Sequence, residues 1–449
     1  MIVLKFGGTS VGSVENICKV ANIVINTDGP KVIVLSAMSG VTNTLQKISN
    51  LLSARKNGDA RLEMSMLNTK YNNVIQNLFS SSIFFLKAKE MLDQQNDLML
   101  SFLKKDFNLK EEKVIMAQGE IFSTKIFQLL MEEMEEKTVL ISALDFMKVD
   151  LNGEPQTNLI KENLSRIIGN NSNSNAFITQ GFICRNIKNE VDNLKRGGSD
   201  YTASLIGSAL VADQIQIWTD IDGMHNNDPR FVDRTFSIDE ISFDEAAELA
   251  YFGAKILHPQ SIIPAKDKNI PVLVKNTFKP EAKGTLIHNK AVVKKIRAVA
   301  AKDNITAIKI KSYRMLMAYG FLKKIFEVFE QNETSIDMIT TSEVAVSLTI
   351  DDDKKINRII QELEGFGSIE VDTELSIICI AGDLAQNKKG ITAAIFNCLK
   401  NIPIRMISYG GSNYNLSFLV KTSDKISVLN LLNKGLFTSF IKMKNPIFA

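Results

Sequence analysis

Two short stretches set a cation beside paired glycines, a combination suited to gripping phosphate or carboxylate. In Lys5-Phe6-Gly7-Gly8-Thr9-Ser10 the glycines follow an apolar run. Glycines at such a place let the backbone approach a bound group and offer N–H donors, and a lysine beside them suits the oxygens of a phosphoryl group in transfer. A tight turn with a surface lysine is the plain alternative. The Walker and Rossmann glycine fingerprints are both absent. In Lys195-Arg196-Gly197-Gly198-Ser199-Asp200 a guanidinium, two glycines, a hydroxyl and a carboxylate precede a helical stretch at 203–211. A helix N-terminus attracts anions, and an arginine grips a carboxylate or phosphate through two parallel bonds. Asp200 could position a lysine or a magnesium ion. Equally, Ser199 or Asp200 could cap the helix with Arg196 in solvent.

Three further stretches are weaker alone. Trp218-Thr219-Asp220-Ile221-Asp222-Gly223, with Asp228-Pro229-Arg230 after it, reads as a loop at a strand's carboxyl end. Its acids could hold a ribose and Arg230 a phosphate, although acidic turns are common and mostly inert. Gly119-Glu120 opens what reads as a helix, where the dipole favours a carboxylate whatever its function. Gly253-Ala254-Lys255-Ile256-Leu257-His258-Pro259 adds a lysine between a helix and a turn, with His258 as a structural hydrogen-bonder.

The scaffold for these groups is written in the hydrophobic pattern. Short apolar, β-branched runs at 2–6, 31–37, 138–144, 175–184, 214–219 and 270–275 alternate with stretches of helical period. Ile17, Val20, Ala21 and Val24 recur at i, i+3, i+4 and i+7 behind Ser13 as N-cap. Continuous apolar strands between amphipathic helices imply an α/β fold. Its mostly parallel sheet is covered on both faces and binds ligands at the carboxyl ends of the strands. Residues 59–106 lack strand signals and carry Leu62, Met66, Leu67, Tyr71, Val74, Ile75, Leu78 and Phe79 at helical spacing. They form a helical excursion, a packing appendage or a lid. From residue 303 a unit of strand, glycine, helix and strand occurs twice. The first copy runs through 305–310, Gly320, then Leu322, Ile325, Phe326 and Phe329, to 336–340. The second runs through 375–380, Gly390, then Ile391, Ala394, Ile395 and Cys398, to 404–408. Residues 279–302 read as the linker.

At 449 residues the chain has room for two or three domains. Its 53 Lys and Arg against 50 Asp and Glu leave a net charge of +3, no footprint for nucleic acid. No apolar run reaches the roughly 20 residues that cross a bilayer, and the N-terminus enters a strand at once. Neither a membrane span nor a secretory signal is therefore expected. Cys18, Cys184, Cys379 and Cys398 form no Cys-x-x-Cys, and the three histidines have no metal-binding spacing. A cytoplasmic protein is expected, rather than a disulfide scaffold or a zinc enzyme.

In their joint order, Lys5-Phe6-Gly7-Gly8-Thr9-Ser10, Arg196-Gly197-Gly198-Ser199-Asp200, the 219–223 and 228–230 loop, and 253–259 resemble aspartate kinase of the amino acid kinase family. The paired C-terminal units resemble that enzyme's tandem ACT domains, so the likeness covers essentially the whole chain. It implies a three-layer αβα sandwich over 1–290. Two ferredoxin-like ACT domains follow, at 303–374 (effector-binding) and 375–449. The implied reaction takes ATP and L-aspartate to ADP and 4-phospho-L-aspartate, the first step towards lysine through diaminopimelate, threonine and methionine.

Carried over position by position, the resemblance has Lys5 stabilise charge on the phosphoryl group and Asp200 orient that lysine. Phe6, Gly7, Gly8 and Ser36 line the phosphates, and Thr219, Asp220, His225, Arg230, Lys255 and Ile256 hold the nucleotide. Thr42, Glu120, Arg196, Gly197, Gly198 and Ser199 hold aspartate, with Arg196 on a carboxylate and Glu120 on the amine. The substrate carboxylate is itself the nucleophile, so no general base is required and catalysis is positioning plus electrostatics. Magnesium is expected on the triphosphate, with no protein metal site assigned.

Met315, Ala318, Phe321, Leu322, Ile336, Asp337, Ser342 and Glu343 resemble the lysine-sensing surface of lysine-inhibited members. Asp337 or Glu343 would meet the effector's ammonium; a dimer interface is the other reading. A homodimer through the ACT domains is implied, a tetramer with effector, and no nucleic-acid or membrane partner. As the chain ends soon after the second unit, no fused homoserine dehydrogenase is expected. Three positions depart from the family pattern: His225 for a tyrosine against the nucleotide, Lys195 for a glycine, and Ala318 for a serine. Other amino acid kinases share the sheet, acting on glutamate, acetylglutamate, carbamate or a nucleotide monophosphate. A catalytically silent amino acid sensor would keep the fold. The tandem tail favours aspartate, and the retained Lys5, Glu120, Arg196 and Asp200 favour an enzyme.

Overall fold

The computed structural model describes residues 1–195, 197–252, 258–290, 296–313, 319–385 and 389–444. Its described residues fall into two compact units. The first comprises Met1–Met224, Asp239–Phe243 and Ile256–Ala291; the second comprises His225–Ile238, Asp244–Lys255 and Val292–Ala449.

In the first unit the apolar runs become β1 (Ile2–Phe6), β2 (Lys31–Leu35), β3 (Val139–Leu140), β4 (Ala176–Gln180), a hairpin of β5 (Ile183–Arg185) and β6 (Val191–Asn193), and β7 (Gln214–Thr219). Then come β8 (Glu240–Ser242), β9 (Val272–Asn276) and β10 (Thr285–His288). Apart from the hairpin they form one sheet in the order β3-β4-β2-β1-β7-β9-β10-β8. Only the β9–β10 pair is antiparallel, as expected for a mostly parallel sheet. Central β1 lies between β2 and β7, with Lys5 opposite Val34 and Ile217. Val3, Leu4 and Phe6 are wholly buried, which is why the run is apolar without alternation.

The helices are α1 (Val14–Ile25), α2 (Val41–Ser53), α3 (Asn57–Leu78), α4 (Ser82–Ser101), α5 (Leu109–Glu133), α6 (Ala143–Phe146), α7 (Thr157–Asn170), α8 (Gly198–Leu210), α9 (Phe243–Tyr251) and α10 (Ile263–Asp267). Ser13 caps α1 as expected, accepting from the Asn16 N–H at 3.2 Å. The excursion is two helices, α3 and α4. Leu67, Tyr71, Val74, Ile75, Leu78 and Phe79 join the main core, whereas Leu62 and Met66 face solvent.

The second unit carries β11 (Ala298–Lys311), β12 (Ile339–Thr341), β13 (Ala345–Ile350), β14 (Ser368–Ala381), β15 (Met406–Tyr409) and β16 (Asn415–Lys421). They form one antiparallel sheet in the order β12-β13-β11-β14-β16-β15. Its helices are α11 (Phe321–Gln331), α12 (Ile356–Leu363), α13 (Ile391–Asn397) and α14 (Lys425–Lys444). The twofold repeat is visible in the caps: α11 and α13 both start after a left-handed glycine, Gly320 and Gly390. Long β11 and β14 pair along most of their length and serve two cores. Ile308, Ile310 and Ile369 pack in one, Val299, Ile378 and Ile380 in the other.

Candidate active site

Lys5 sits at the carboxyl end of β1, 9% exposed, where a lone ammonium would be costly to desolvate. Asp200 meets it, with Oδ1 2.6 Å from Lys5 Nζ. Asp200 lies in the first turn of α8, where the helix dipole favours a carboxylate. The residue in the cap position is Gly197, in the left-handed region at φ +68°, so neither Ser199 nor Asp200 caps this helix. Both are thereby free to face β1 and β2. Arg196 lies outside the described residues.

Of the two glycines after Lys5, Gly8 is demanded by closeness, while Gly7 has room for a Cβ. A Cβ on Gly8 would come within 2.9 Å of the Ala37 carbonyl oxygen, and one on Gly7 within 3.4 Å of Lys5 Nζ. Gly7 gives its N–H to the Trp218 carbonyl at 3.2 Å, and the Gly8 carbonyl accepts from Ser39 N–H at 3.0 Å. The Phe6 side chain is wholly buried and stacks on Trp218, so its contribution at the strand end is its backbone.

After β2, the loop from Ser36 to Gly40 is held from several sides. Ser36 Oγ donates to Ser199 Oγ at 2.8 Å, and the Ser36 carbonyl accepts from Ser123 Oγ at 2.8 Å. Ala37 N–H donates to Glu120 Oε1 at 3.2 Å. Glu120 lies mid-way along α5, not at a helix start, so the dipole expected to favour its carboxylate does not act. Instead burial, only partly offset by the Ala37 N–H, pushes its pKa up to about 7. Its other oxygen, Oε2, is buried without a hydrogen-bond partner. An orphaned buried carboxylate oxygen is strongly unfavourable unless a donor arrives, and a ligand ammonium is such a donor. Thr42 is exposed in the first turn of α2, behind left-handed Gly40.

At the end of β7, Thr219 Oγ1 donates to Asp220 Oδ1 at 3.1 Å, and its carbonyl accepts from Thr277 N–H at 2.8 Å. Asp220 is exposed, whereas Asp222 is engaged by Asn276 and by Lys279, the latter at 3.3 Å. His258 acts structurally, as expected, accepting from Gln260 N–H at 3.3 Å. Lys255 and Ile256 lie outside the described residues. The structure therefore brings together Lys5, Gly7, Gly8, Ser36, Glu120, Ser199 and Asp200, with Phe6 behind them.

His225 and Arg230 belong to the second unit. His225 Nδ1 meets Thr235 Oγ1 at 3.1 Å. Arg230 forms a fork with Asp228, at 3.0 Å from Nε and 2.6 Å from Nη2. Its guanidinium thus already has a carboxylate, an arrangement the Asp-Pro-Arg spacing did not suggest.

Of the residues expected to meet an effector, Phe321 and Leu322 open α11 and Phe321 meets Phe366 edge-on. Ile336 is half-buried, Ser342 and Glu343 are exposed, and Ser342 N–H donates to the Ala345 carbonyl at 2.8 Å. The Asp337 side chain is only 1% exposed. Met315 and Ala318 lie outside the described residues.

Sequence reasoning missed Ser39, Ser123 and Gly181 as parts of the site. A Cβ on Gly181 would lie 2.2 Å from Ser199 Oγ, so that glycine admits the serine. Its signal was a glycine directly after a buried strand, the same signal as at Gly7.

The sequence profile of the amino acid kinase family matches residues 1–276, and that of an ACT domain matches 378–436. Lysine-sensitive aspartokinase 3 of Escherichia coli is 34% identical, over 97% of this chain and 99% of that one. Chloroplastic aspartokinase 1 of Arabidopsis thaliana is 34% identical, over 97% and 80%. The crystal structure of E. coli aspartokinase III in complex with aspartate and ADP is 32% identical with a TM-score of 0.85, covering 97% of this chain and 100% of that one. The same enzyme in complex with lysine and aspartate gives 33% and 0.82, covering 97% and 99%. On this likeness over nearly its full length, the chain belongs to the amino acid kinase family, among the aspartokinases.

Proposed function

We infer that this chain transfers the γ-phosphoryl group of ATP to the side-chain carboxylate of L-aspartate, giving ADP and 4-phospho-L-aspartate. The observation that carries this reading is the buried Lys5–Asp200 pair at the strand end, together with Glu120 of α5, which holds the loop after β2 through one oxygen and leaves the other unpartnered. Lys5 supplies positive charge where the transferring oxygens develop negative charge, and Asp200 fixes its ammonium. Glu120 Oε2 receives the aspartate ammonium, Arg196 a substrate carboxylate, and Thr42 and Ser199 complete that end of the pocket. Thr219, Asp220, His225, Arg230, Lys255 and Ile256 line the nucleotide. No proton is taken from the nucleophile, because a carboxylate already carries the attacking lone pair.

Among the described residues no group of three or more acidic, histidine or cysteine side chains is gathered as for a metal ion. Magnesium would be carried by the nucleotide's phosphates. We assign lysine as effector to the module at 303–374, after the lysine-sensitive relative, with 375–449 as its partner module. Subunits pair through these modules, and the enzyme works in the cytoplasm. Among the described residues no helix is long and apolar enough to cross a membrane.

The test is ADP release from ATP and magnesium with L-aspartate, L-glutamate or N-acetyl-L-glutamate as acceptor. Release should require aspartate and be suppressed by L-lysine. Release driven by either glutamate acceptor instead would overturn the substrate assignment.

A further inference from the structure

In the second unit a buried carboxylate, Asp337, gathers groups from three other segments: Lys302, which is largely covered, and Tyr251 and Asp351, which are about two-fifths exposed. The Asp337 carboxylate accepts from Tyr251 Oη at 2.6 Å and from Lys302 Nζ at 2.9 Å, both on Oδ1. Lys302 Nζ also pairs with Asp351 at 2.9 Å and lies 4.5 Å from the centroid of the Tyr251 ring. Asp337 Oδ2 is buried with no hydrogen-bond partner. The backbone around Asp337 is fixed on β13, since Asp337 N–H donates to the Thr349 carbonyl at 2.9 Å and Met338 N–H to Thr349 Oγ1 at 3.0 Å. Burial alone would lower the pKa of Lys302, but the bonds and charges of Asp337 and Asp351 outweigh it, so the group stays a cation. Burial, reinforced by Asp337, likewise keeps the Tyr251 phenol protonated and donating.

The second repeat shows what is particular here. About 70 residues on, the matching pair has its polarity reversed: Arg405 Nε lies 2.6 Å from Asp372 Oδ2, with side chains 37% and 44% exposed. That pair is open to solvent. The Lys302–Asp337 pair is closed over, and its extra partner is the last residue of α9. In sequence, α9 leads directly into 253–259, which carries Lys255.

We propose that Tyr251 is a positioning residue whose hydroxyl, held on Asp337, couples the effector-binding segment before β12 to α9 and through it to nucleotide binding. An effector's ammonium drawn to Asp337 Oδ2 would stand beside the Lys302 ammonium, and like charges at that range repel. The shared carboxylate must then loosen its bond to Lys302 or to Tyr251. This rests on the aspartokinase reading and refines its regulation.

Coupling between two ligands is reciprocal, so it can be measured without turnover. The variant is Tyr251→Phe, which removes the hydroxyl and keeps the ring under Lys302. Calorimetry would give the affinity of L-lysine with and without saturating ADP, using L-threonine if lysine does not bind. For the wild-type protein the two affinities should differ at least tenfold. In Y251F they should agree within twofold, while the affinity of nucleotide-free protein and the uninhibited kcat stay within threefold of wild type. A Y251F protein that keeps the wild-type ratio would falsify the proposal. Independent effector and ADP affinities in the wild-type protein would also overturn it, leaving phosphoryl transfer to aspartate standing. Conversely, lost coupling in Y251F, in a protein that does not phosphorylate aspartate, supports the proposal and sinks the kinase reading.

Discussion

A buried ammonium needs a carboxylate fixed against it, and Asp200 stands 2.6 Å from Lys5. Because the pair is built before substrate arrives, the ammonium is available for charge that appears only in the transition state. Lys5→Ala should therefore lower kcat about a thousandfold while aspartate binds within threefold of wild type, as read by calorimetry. A fall confined to substrate affinity would remove Lys5 from the chemistry. Glu120 titrates near pH 7 because it is buried. Above that value it is a carboxylate and attracts the substrate ammonium; below it, the protonated acid does not. Hence kcat/KM for aspartate should fall as pH drops through about 7, and Glu120→Gln should be low and flat over the same range. A wild-type profile already flat between pH 6 and 8 (about one unit either side) would exclude this role.

At the scale of elements, the site is three strand ends and two helices brought to one edge of a parallel sheet. The excursion α3 reaches that edge through Lys70, whose Nζ donates to the Ser39 carbonyl at 2.7 Å. Ser39 N–H is tied on its other side to Gly8, so Lys70 braces the loop that leads to Thr42. Lys70→Ala should raise KM for aspartate several-fold without changing KM for ATP, and Lys70→Arg should restore it; equal changes in both constants would make α3 packing alone. The longer strands were readable because β1 and β2 are buried on both faces and almost continuously apolar, whereas β7 alternates Gln214, Ile215, Gln216 and Ile217 in step with its half-buried pattern. Strands β8 and β10 are only three and four residues long, too short for any period to show. The 138–144 run became a two-residue strand and a helical turn, because Ala143–Phe146 folds as α6. Leu62 and Met66 looked like core by spacing, yet α3 turns them outward and buries Met64, Leu67 and Tyr71. Glycine-flanked strand ends pointed to Lys5 and Asp200. Nothing local marked Ser123 or Lys70, whose partners are 87 and 31 residues away.

At the scale of the whole molecule, the proposed effector site and the proposed subunit pairing both fall on the six-stranded sheet. β12 is an edge strand whose three residues are all exposed, Ile339 among them, and an unpaired edge of this kind is a template for a second copy. Light scattering should give twice the chain mass, and Ile339→Lys should shift it towards the monomer; a wild-type monomer at micromolar concentration would contradict pairing through this sheet. Lysine inhibition should persist only in the paired form. What distinguishes this enzyme is its product, an acyl phosphate. Hydroxylamine added to purified protein, ATP, magnesium and L-aspartate traps an acyl phosphate as its hydroxamate. Aspartyl β-hydroxamate should form with the wild-type chain and be lost with Lys5→Ala. No hydroxamate from wild-type protein that binds ATP, or undiminished formation by K5A, would contradict phosphoryl transfer to aspartate at the Lys5–Asp200 site.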